Sequence, residues 1–309
     1  MTPKIFVKPI KGSSLKEKII KNIPNYVLLA PFMLLFTIFM LIPVLSSIII
    51  SLTDFNMVQS PNFVGIDNYL HLFLDDEVFV KAIQNTLVFA VITGPVGFLL
   101  SFVVAWLVNE LGRHTRSFVT FIMYAPSLTA NVFVIWIFIF SGDAKGFLNN
   151  LLLKIGLIRD PEAWLSSGKY SFSAVVIVII WLSLGAGFLS LVAGLQTLDR
   201  AYYEAGVIDG INNRWQELYY ITLPQMGPQL LFSAIMSISG AFAVGNVPMA
   251  LTGFPSTNYS THTLLLHMQD YAVNRYEMGY SSAIAVVLFI IMVITWYAIN
   301  RALRRFTAI

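Results

Sequence analysis

Cysteine is missing from all 309 residues, which excludes disulfides, thiolate metal sites and cysteine nucleophiles. Charge is scarce too. Asp, Glu, Lys and Arg make up 11% of the chain, against about 25% in ordinary soluble domains. So few charges cannot clothe a water-soluble domain of this length. The chain also lacks a G-x-x-x-x-G-K-[ST] loop for nucleotide phosphates and a His-Glu-x-x-His pair for a catalytic zinc. His262 and His267, five apart with Asp270 near, therefore read as solvated or hydrogen-bonded side chains and not as metal ligands. The long apolar runs hold almost no ionisable residue, whereas proton relays, voltage sensors and ion-coupled carriers place such groups at membrane depth. Paired carboxylates inside the runs, which a membrane enzyme would need, are missing as well.

What is present is apolar: 57% AVILMFWYC, with a mean hydropathy of +0.75. Stretches near the length of a bilayer crossing recur at Tyr26–Leu52, Ala82–Asn109, Phe118–Phe140, Ser171–Leu195, Leu230–Leu251 and Ser281–Ile299. They predict an all-α membrane protein with six transmembrane helices. The basic start resembles a signal peptide, but the first run is too long for an h-region and no small-residue cleavage site follows it. It is expected to remain as a span.

Six crossings put both ends on one side, and basic residues choose the side. Lys4, Lys8, Lys11, Lys16, Lys18 and Lys21 precede the first run. Arg113, Arg116, Arg200, Arg214, Arg301, Arg304 and Arg305 fall on the same face. The opposite face has Lys81, Lys145, Lys154, Arg159, Lys169 and Arg275, diluted by Asp75, Asp76 and Glu77. Both termini are thus expected in the cytoplasm. The corresponding division is a tail over 1–25, a membrane domain over 26–303 and a tail over 304–309.

Inside the runs lie neutral polar groups, aromatics, glycines and prolines. They include Thr93-Gly94-Pro95, Gly97, Tyr124, Pro126, Asn131, Trp181, Ser183, Gly185, Gly187, Ser237, Gly240, Asn246 and Pro248. Kinked helices lined in this way suit a neutral, hydroxyl-rich solute. The same small residues are also the ordinary packing contacts between membrane helices.

The longest polar stretch with the texture of a folded element is Ala201–Pro224, AYYEAGVIDGINNRWQELYYITLP. Ala205, Gly206 and Gly210 are small and closely spaced, which lets another surface approach the backbone. Gly210 is a natural helix stop, and Trp215, Leu218 and Tyr219 form an apolar stripe after it. An amphipathic helix lying on the membrane would share these features. Glu204-Ala205-Gly206, Asp209-Gly210 and Leu223-Pro224 resemble the EAA loop of binding-protein-dependent ABC importer permeases, specifically sugar permeases of the maltose type. Gly206 stands where that family usually has a second alanine, and one extra residue lies between Gly210 and Ile221.

The resemblance extends across the spans and into the outer loops. Asn62–Thr86 is similar to the sugar-permease pattern F-x-G-x-x-N-Y, an acidic turn, then N-T. Its Asp75-Asp76-Glu77 is expected to cap a short helix, with Phe73, Val78 and Phe79 resting on the membrane or a partner. Phe147–Ile158 reads as an interfacial helix with Trp164 as an anchor. Leu251, Thr252, Gly253, Pro255, Thr263, Leu264, Tyr271, Gly279 and Tyr280 match the family's loop before the last span. That loop faces the external gate and the solute-binding protein.

What the resemblance implies is a type I ABC importer fold whose coupling loop, within 197–225, docks on a separate ATPase subunit through Glu204, Ala205, Gly206, Asp209, Gly210, Leu223 and Pro224. Ungapped counting along the family places Trp181, Leu182, Ser183, Ala186, Ser237, Gly240, Ala241 and Val244 at sugar-site positions. Of these, Trp181, Leu182 and Ser237 match in type. The implied partners are a second homologous permease, an ABC ATPase dimer carrying ATP and Mg, an extracytoplasmic solute-binding protein, a sugar or oligosaccharide, and the lipid bilayer of the cell membrane. The chain itself is expected to hold no metal or cofactor, to bind no nucleic acid and to catalyse nothing. An ABC permease for a different solute and a stand-alone carrier are the alternatives.

Overall fold

The computed structural model describes residues 22–129 and 132–306, with side chains as far as Arg301. The six N-terminal lysines, Asn131 and the side chains of Arg304 and Arg305 lie outside the described residues. Contacts divide the chain into residues 1–49 and 50–309.

The first unit holds helix α1 (Ile23–Ile50) as far as Ile49, and none of the helix's side chains is buried. It is apolar around its whole circumference, as a helix in lipid must be. A wider π-helical turn occupies Thr37–Leu41. Pro43 explains it, because in a regular helix its ring would strike the carbonyl of Phe39.

The second unit begins with α2 (Asp67–Leu74) and then α3 (Glu77–Asn109), an unbroken helix of 33 residues. The Asp76 carboxylate caps α3 by accepting from the Phe79 N–H at 2.8 Å. The acidic turn therefore caps the long span and not a short helix, which corrects the sequence expectation. It also moves the start of this span from Ala82 to Glu77. Phe79 differs too: it is fully buried in the protein's own core, packed edge-on to Phe73.

The third apolar run is not one helix. It forms α4 (Arg113–Leu128) and α5 (Phe133–Ile139), two pieces at 88° to each other. Pro126 and the extended backbone of Thr129 stop α4, so the expected crossing over 118–140 is broken near its middle. Next, α6 (Phe147–Lys154) ends before Gly156, whose φ is +73°. Trp164, expected as an interface anchor, is half-buried. Its Nε1–H donates to the Oδ1 of fully buried Asn149 at 2.8 Å and its ring packs inward.

The fourth run forms α7 (Ser171–Leu182) and α8 (Ala186–Thr197), separated by Ser183-Leu184-Gly185. The polar loop carries α9 (Arg200–Ile208) and α10 (Arg214–Glu217), the latter leading into a π-helical turn at Leu218–Thr222. The fifth run is bent by 45° between α11 (Gly227–Phe242) and α12 (Asn246–Thr252). A short α13 (Leu264–Gln269) precedes α14 (Met278–Phe306), which continues past residue 304, where the tail was expected to begin. Among the described residues four helices are long and apolar enough to cross a membrane, or six if each bent pair is one span. Among the described residues there is no strand, only an isolated bridge between Thr53 and Phe63.

Helix α3 is the axis of this unit. Its Phe79 and Ala82 join a cluster with Phe242, Leu264 and Ile284; its Phe102 and Ala105 join Phe188, Leu191 and Met226. Phe89 joins a third cluster with Val175, Val178 and Leu251, and its ring stacks on Phe172. In lipid these contacts hold the bundle by close packing, since the tails outside are as apolar as the core.

Candidate functional site

A cavity of 380 Å³ opens where α3 passes the two broken spans. The breaks produce it: Ser183-Leu184-Gly185 and Ala243-Val244-Gly245 interrupt neighbouring helices at the same level. Leu182, Ser183 and Ala186 line one wall, and Ser237, Gly240, Ala241 and Val244 line the other. Seven of the eight positions expected to hold sugar thus meet around one space, though they are separated by more than fifty residues of chain. The eighth, Trp181, is not in the lining; its indole packs edge-on against Trp136 at 5.4 Å.

Every lining residue among the described residues is uncharged. Its hydroxyl hydrogens are partly committed: Thr93 donates to the Phe89 carbonyl and Ser183 to that of Ile180, at 2.8 and 2.7 Å. Their oxygens keep free lone pairs. Asn246 and Ser237 add side-chain polar groups, and Phe133 adds an aromatic face. Neutral donors and acceptors beside apolar walls recognise a hydroxylated solute and offer no counter-charge to an ion.

The loop site is built from helix ends. Asp199 caps α9 by accepting from the Ala201 N–H at 3.0 Å. At the other end the Ile211 N–H donates to the Gly206 carbonyl and the Gly210 N–H to that of Val207, at 2.9 and 3.2 Å. With Gly210 at φ +91°, this is a Schellman motif, so the expected stop is present. Glu204, Ala205, Asp209 and Gly210 are exposed, whereas Gly206 is buried. A Cβ on Gly206 would stand 2.7 Å from Ile221 Cδ1, so its smallness admits the protein's own isoleucine. Within the described residues, the backbone approach expected of Gly206 is thus used internally. Leu223 leans on the core, and exposed Pro224 lies in the helical turn that leads to α11. Tyr202, Val207 and Ile208 stand out from α9, Ile208 being 87% exposed.

Glu204 also faces a second cavity, of 440 Å³, with Tyr203, Arg214 and Glu110. Here the structure adds contacts with no signature in the sequence. The Arg214 guanidinium donates to Glu217 and to Glu110 at the end of α3, both at 2.9 Å. Trp215 packs on Trp106 of α3 at 5.5 Å. The second half of the loop is tied to the central helix by these two contacts. The partners are more than a hundred residues apart, so no local pattern announces them.

A third polar cluster surrounds Asp76. Its Oδ2 accepts from His267 Nε2–H at 3.0 Å and from the Tyr280 hydroxyl at 2.8 Å, with the Tyr271 hydroxyl at 3.4 Å. Burial would raise the carboxyl's pKa, but hydrogen bonds from His267, Phe79 N–H and Tyr280 more than offset it, holding the group well below its ordinary value. Burial lowers His262 to about 4 and raises Tyr271 to about 12. His262 and His267 are 2% and 1% exposed and bonded to each other. They are not solvated, and among the described residues no three His, Asp or Glu side chains gather as metal ligands.

Broken apolar helices around an uncharged cavity, with a capped helix projecting from one polar loop, define a multi-pass membrane permease. A family model for the binding-protein-dependent transport system inner membrane component matches residues 97–308. The "Probable ABC transporter permease protein YurN" of Bacillus subtilis (strain 168) is 31% identical over 277 residues, 88% of this chain and 92% of that one. The "Lactose transport system permease protein LacF" of Rhizobium radiobacter is 29% identical over 275 residues, 88% and 91% of the two chains. The "Arabinooligosaccharides transport system permease protein AraP" of Bacillus subtilis (strain 168) is 29% identical over 289 residues, 89% and 86% of the two chains. In fold, the chain is similar to the solved structure of "a bacterial ABC transporter involved in the import of the acidic polysaccharide alginate". That similarity has a TM-score of 0.76 at 24% identity, over 96% of this chain and all of that one. The chain belongs to the inner-membrane components of binding-protein-dependent transport systems, the permeases of ABC importers.

Proposed function

We propose that this chain is one of two membrane subunits of an ATP-driven importer of neutral sugars or oligosaccharides. The observation that carries this reading is the uncharged cavity at the breaks in two spans, in whose lining seven expected sugar-site positions lie. The names of LacF and AraP support a saccharide. The lack of any charge in the lining favours a neutral one.

The mechanism is alternating access. A separate ATPase dimer binds ATP and Mg and closes. Glu204, Ala205, Gly206, Asp209 and Gly210 ride on that subunit, and Leu223-Pro224 passes their motion to α11. The basic residues on one face put this loop and both termini in the cytoplasm, with the tails at 1–25 and 304–309, the membrane domain over 26–303 and the coupling loop within 197–225. On the opposite side of the cytoplasmic membrane a solute-binding protein delivers the sugar, and a homologous permease completes the cavity.

Reconstitution tests this reading. Proteoliposomes containing both permeases, the ATPase and the binding protein should accumulate oligosaccharide only with ATP. Accumulation by this chain alone would overturn the reading.

A further inference from the structure

The loop between α12 and α14, together with the start of α3, encloses a cavity of about 230 Å³ that shares no residue with the central one. Its walls include Phe254, Tyr259, His262, His267, Asp270 and Arg275. One end of the histidine pair is fixed. Asp76 is an acceptor, so His267 presents Nε2–H to it, and in the neutral ring Nδ1 keeps a lone pair. His262 then donates Nε2–H to that lone pair across 3.3 Å, and its own Nδ1 is left as an acceptor. This Nδ1 is buried and has no hydrogen-bond partner among the described residues. The tautomers follow from the order of hydrogen-bond partners.

The surroundings of that nitrogen are those of a polyol site. The Phe254 ring lies parallel to the His262 ring at 5.8 Å and the Tyr259 ring stands edge-on to it at 5.3 Å. Arg275 is paired with Asp270 at 2.8 Å, which brings a donor and an acceptor to the same wall. A hydroxyl reaching this wall would donate to His262 Nδ1 and accept from Arg275, and the carbon face of a sugar would lie against an aromatic ring. A carboxylate would meet Asp270 and a nitrogen lone pair. A metal ion would find no third ligand among the described residues.

We propose that this cavity is a second binding site, which takes a hydroxyl-bearing group before the solute reaches the central cavity. The proposal rests on the saccharide-import reading for its direction of travel. The hydroxyl has two possible sources: the sugar itself, or a serine, threonine or tyrosine of the docked binding protein.

The test uses the assembled transporter in nanodiscs. Neutral oligosaccharide probes, lactose and arabinotriose among them, are titrated first, and the sugar-free binding protein is titrated separately. His262→Phe keeps a flat ring and removes the acceptor; His262→Gln restores an acceptor oxygen. Half-exposed Arg275→Gln removes the cationic donor, together with its contact over the Tyr271 ring. Loss of one neutral hydrogen bond predicts about a fivefold weaker sugar dependence in His262→Phe, with His262→Gln in between and docking unchanged. A similar weakening of docking alone would support the site and assign the hydroxyl to the binding protein. If neither titration moves in any of the three variants, the proposal fails. If the wild type moves no saccharide, the import reading fails, and the docking titration still decides the site.

Discussion

Gly97 and Ser183 meet where the central helix passes the break between α7 and α8. Ser183 Oγ lies 3.3 Å from the Gly97 carbonyl oxygen, and a Cβ on Gly97 would stand 2.9 Å from Ser183 Cβ. Ser101 donates to the Ser183 carbonyl from one turn further along α3, at 3.1 Å. The break that forms the cavity wall is therefore held against α3 by small residues and hydroxyls.

Gly97→Ala should push these elements apart. Overpacking at such a contact costs about 1–3 kcal/mol, seen as a lower melting temperature of the purified protein. An unchanged melting temperature would contradict the close contact.

Gly240 lies on the same cavity, and among the described residues no heavy atom outside its chain neighbours and its own helix backbone comes within 4 Å of its missing Cβ. Gly240→Phe should therefore fold and assemble, yet occupy the space for solute. Uptake by the assembled transporter is expected to fall roughly tenfold or more, because a filled pocket excludes its ligand. Undiminished uptake would place the solute path elsewhere.

His262 makes stability depend on pH. Unfolded histidine titrates near 6.5, whereas buried His262 titrates at about 4. Between these values the unfolded chain holds the extra proton, so stability falls as pH drops from about 6.5 toward 4. Asp76, depressed by its donors, acts lower. Its stabilisation is complete above the ordinary carboxylate pKa and is lost as pH falls beneath it. Melting temperatures in detergent should decline from pH 7 to 5, and the decline should be shallower in His262→Phe. Parallel curves would rule out this role.

Arg214 joins Glu217 and Glu110 in an exposed setting, where ion pairs are worth at most about 1 kcal/mol. Arg214→Ala should leave stability nearly unchanged. If the Arg214–Glu110 and Trp215–Trp106 contacts transmit the loop's motion to α3, solute moved per ATP hydrolysed should fall about two- to fivefold, the equivalent of one weak contact. ATPase binding should stay intact. An unaltered ratio would show that the motion reaches the spans by Leu223 and Pro224 alone.

The primary sequence by itself determined the membrane class, the approximate spans and the loop stop at Gly210. Each of these is local: a run of apolar residues has only lipid or a core to face, and a glycine ends a helix by its own φ. Seven of the eight positions that the resemblance implied also lie in the cavity lining, and Trp181 does not. Tertiary structure alone decided that the third run breaks after Pro126, that Phe79 and Trp164 turn inward, and that Gly206 receives Ile221. It alone joined Arg214 to Glu110 and gathered His262, His267, Tyr271 and Tyr280 around Asp76. Those outcomes depend on which neutral or charged groups meet after the helices pack. Partners some hundred to two hundred residues apart leave no periodicity in the chain from which their meeting could be read.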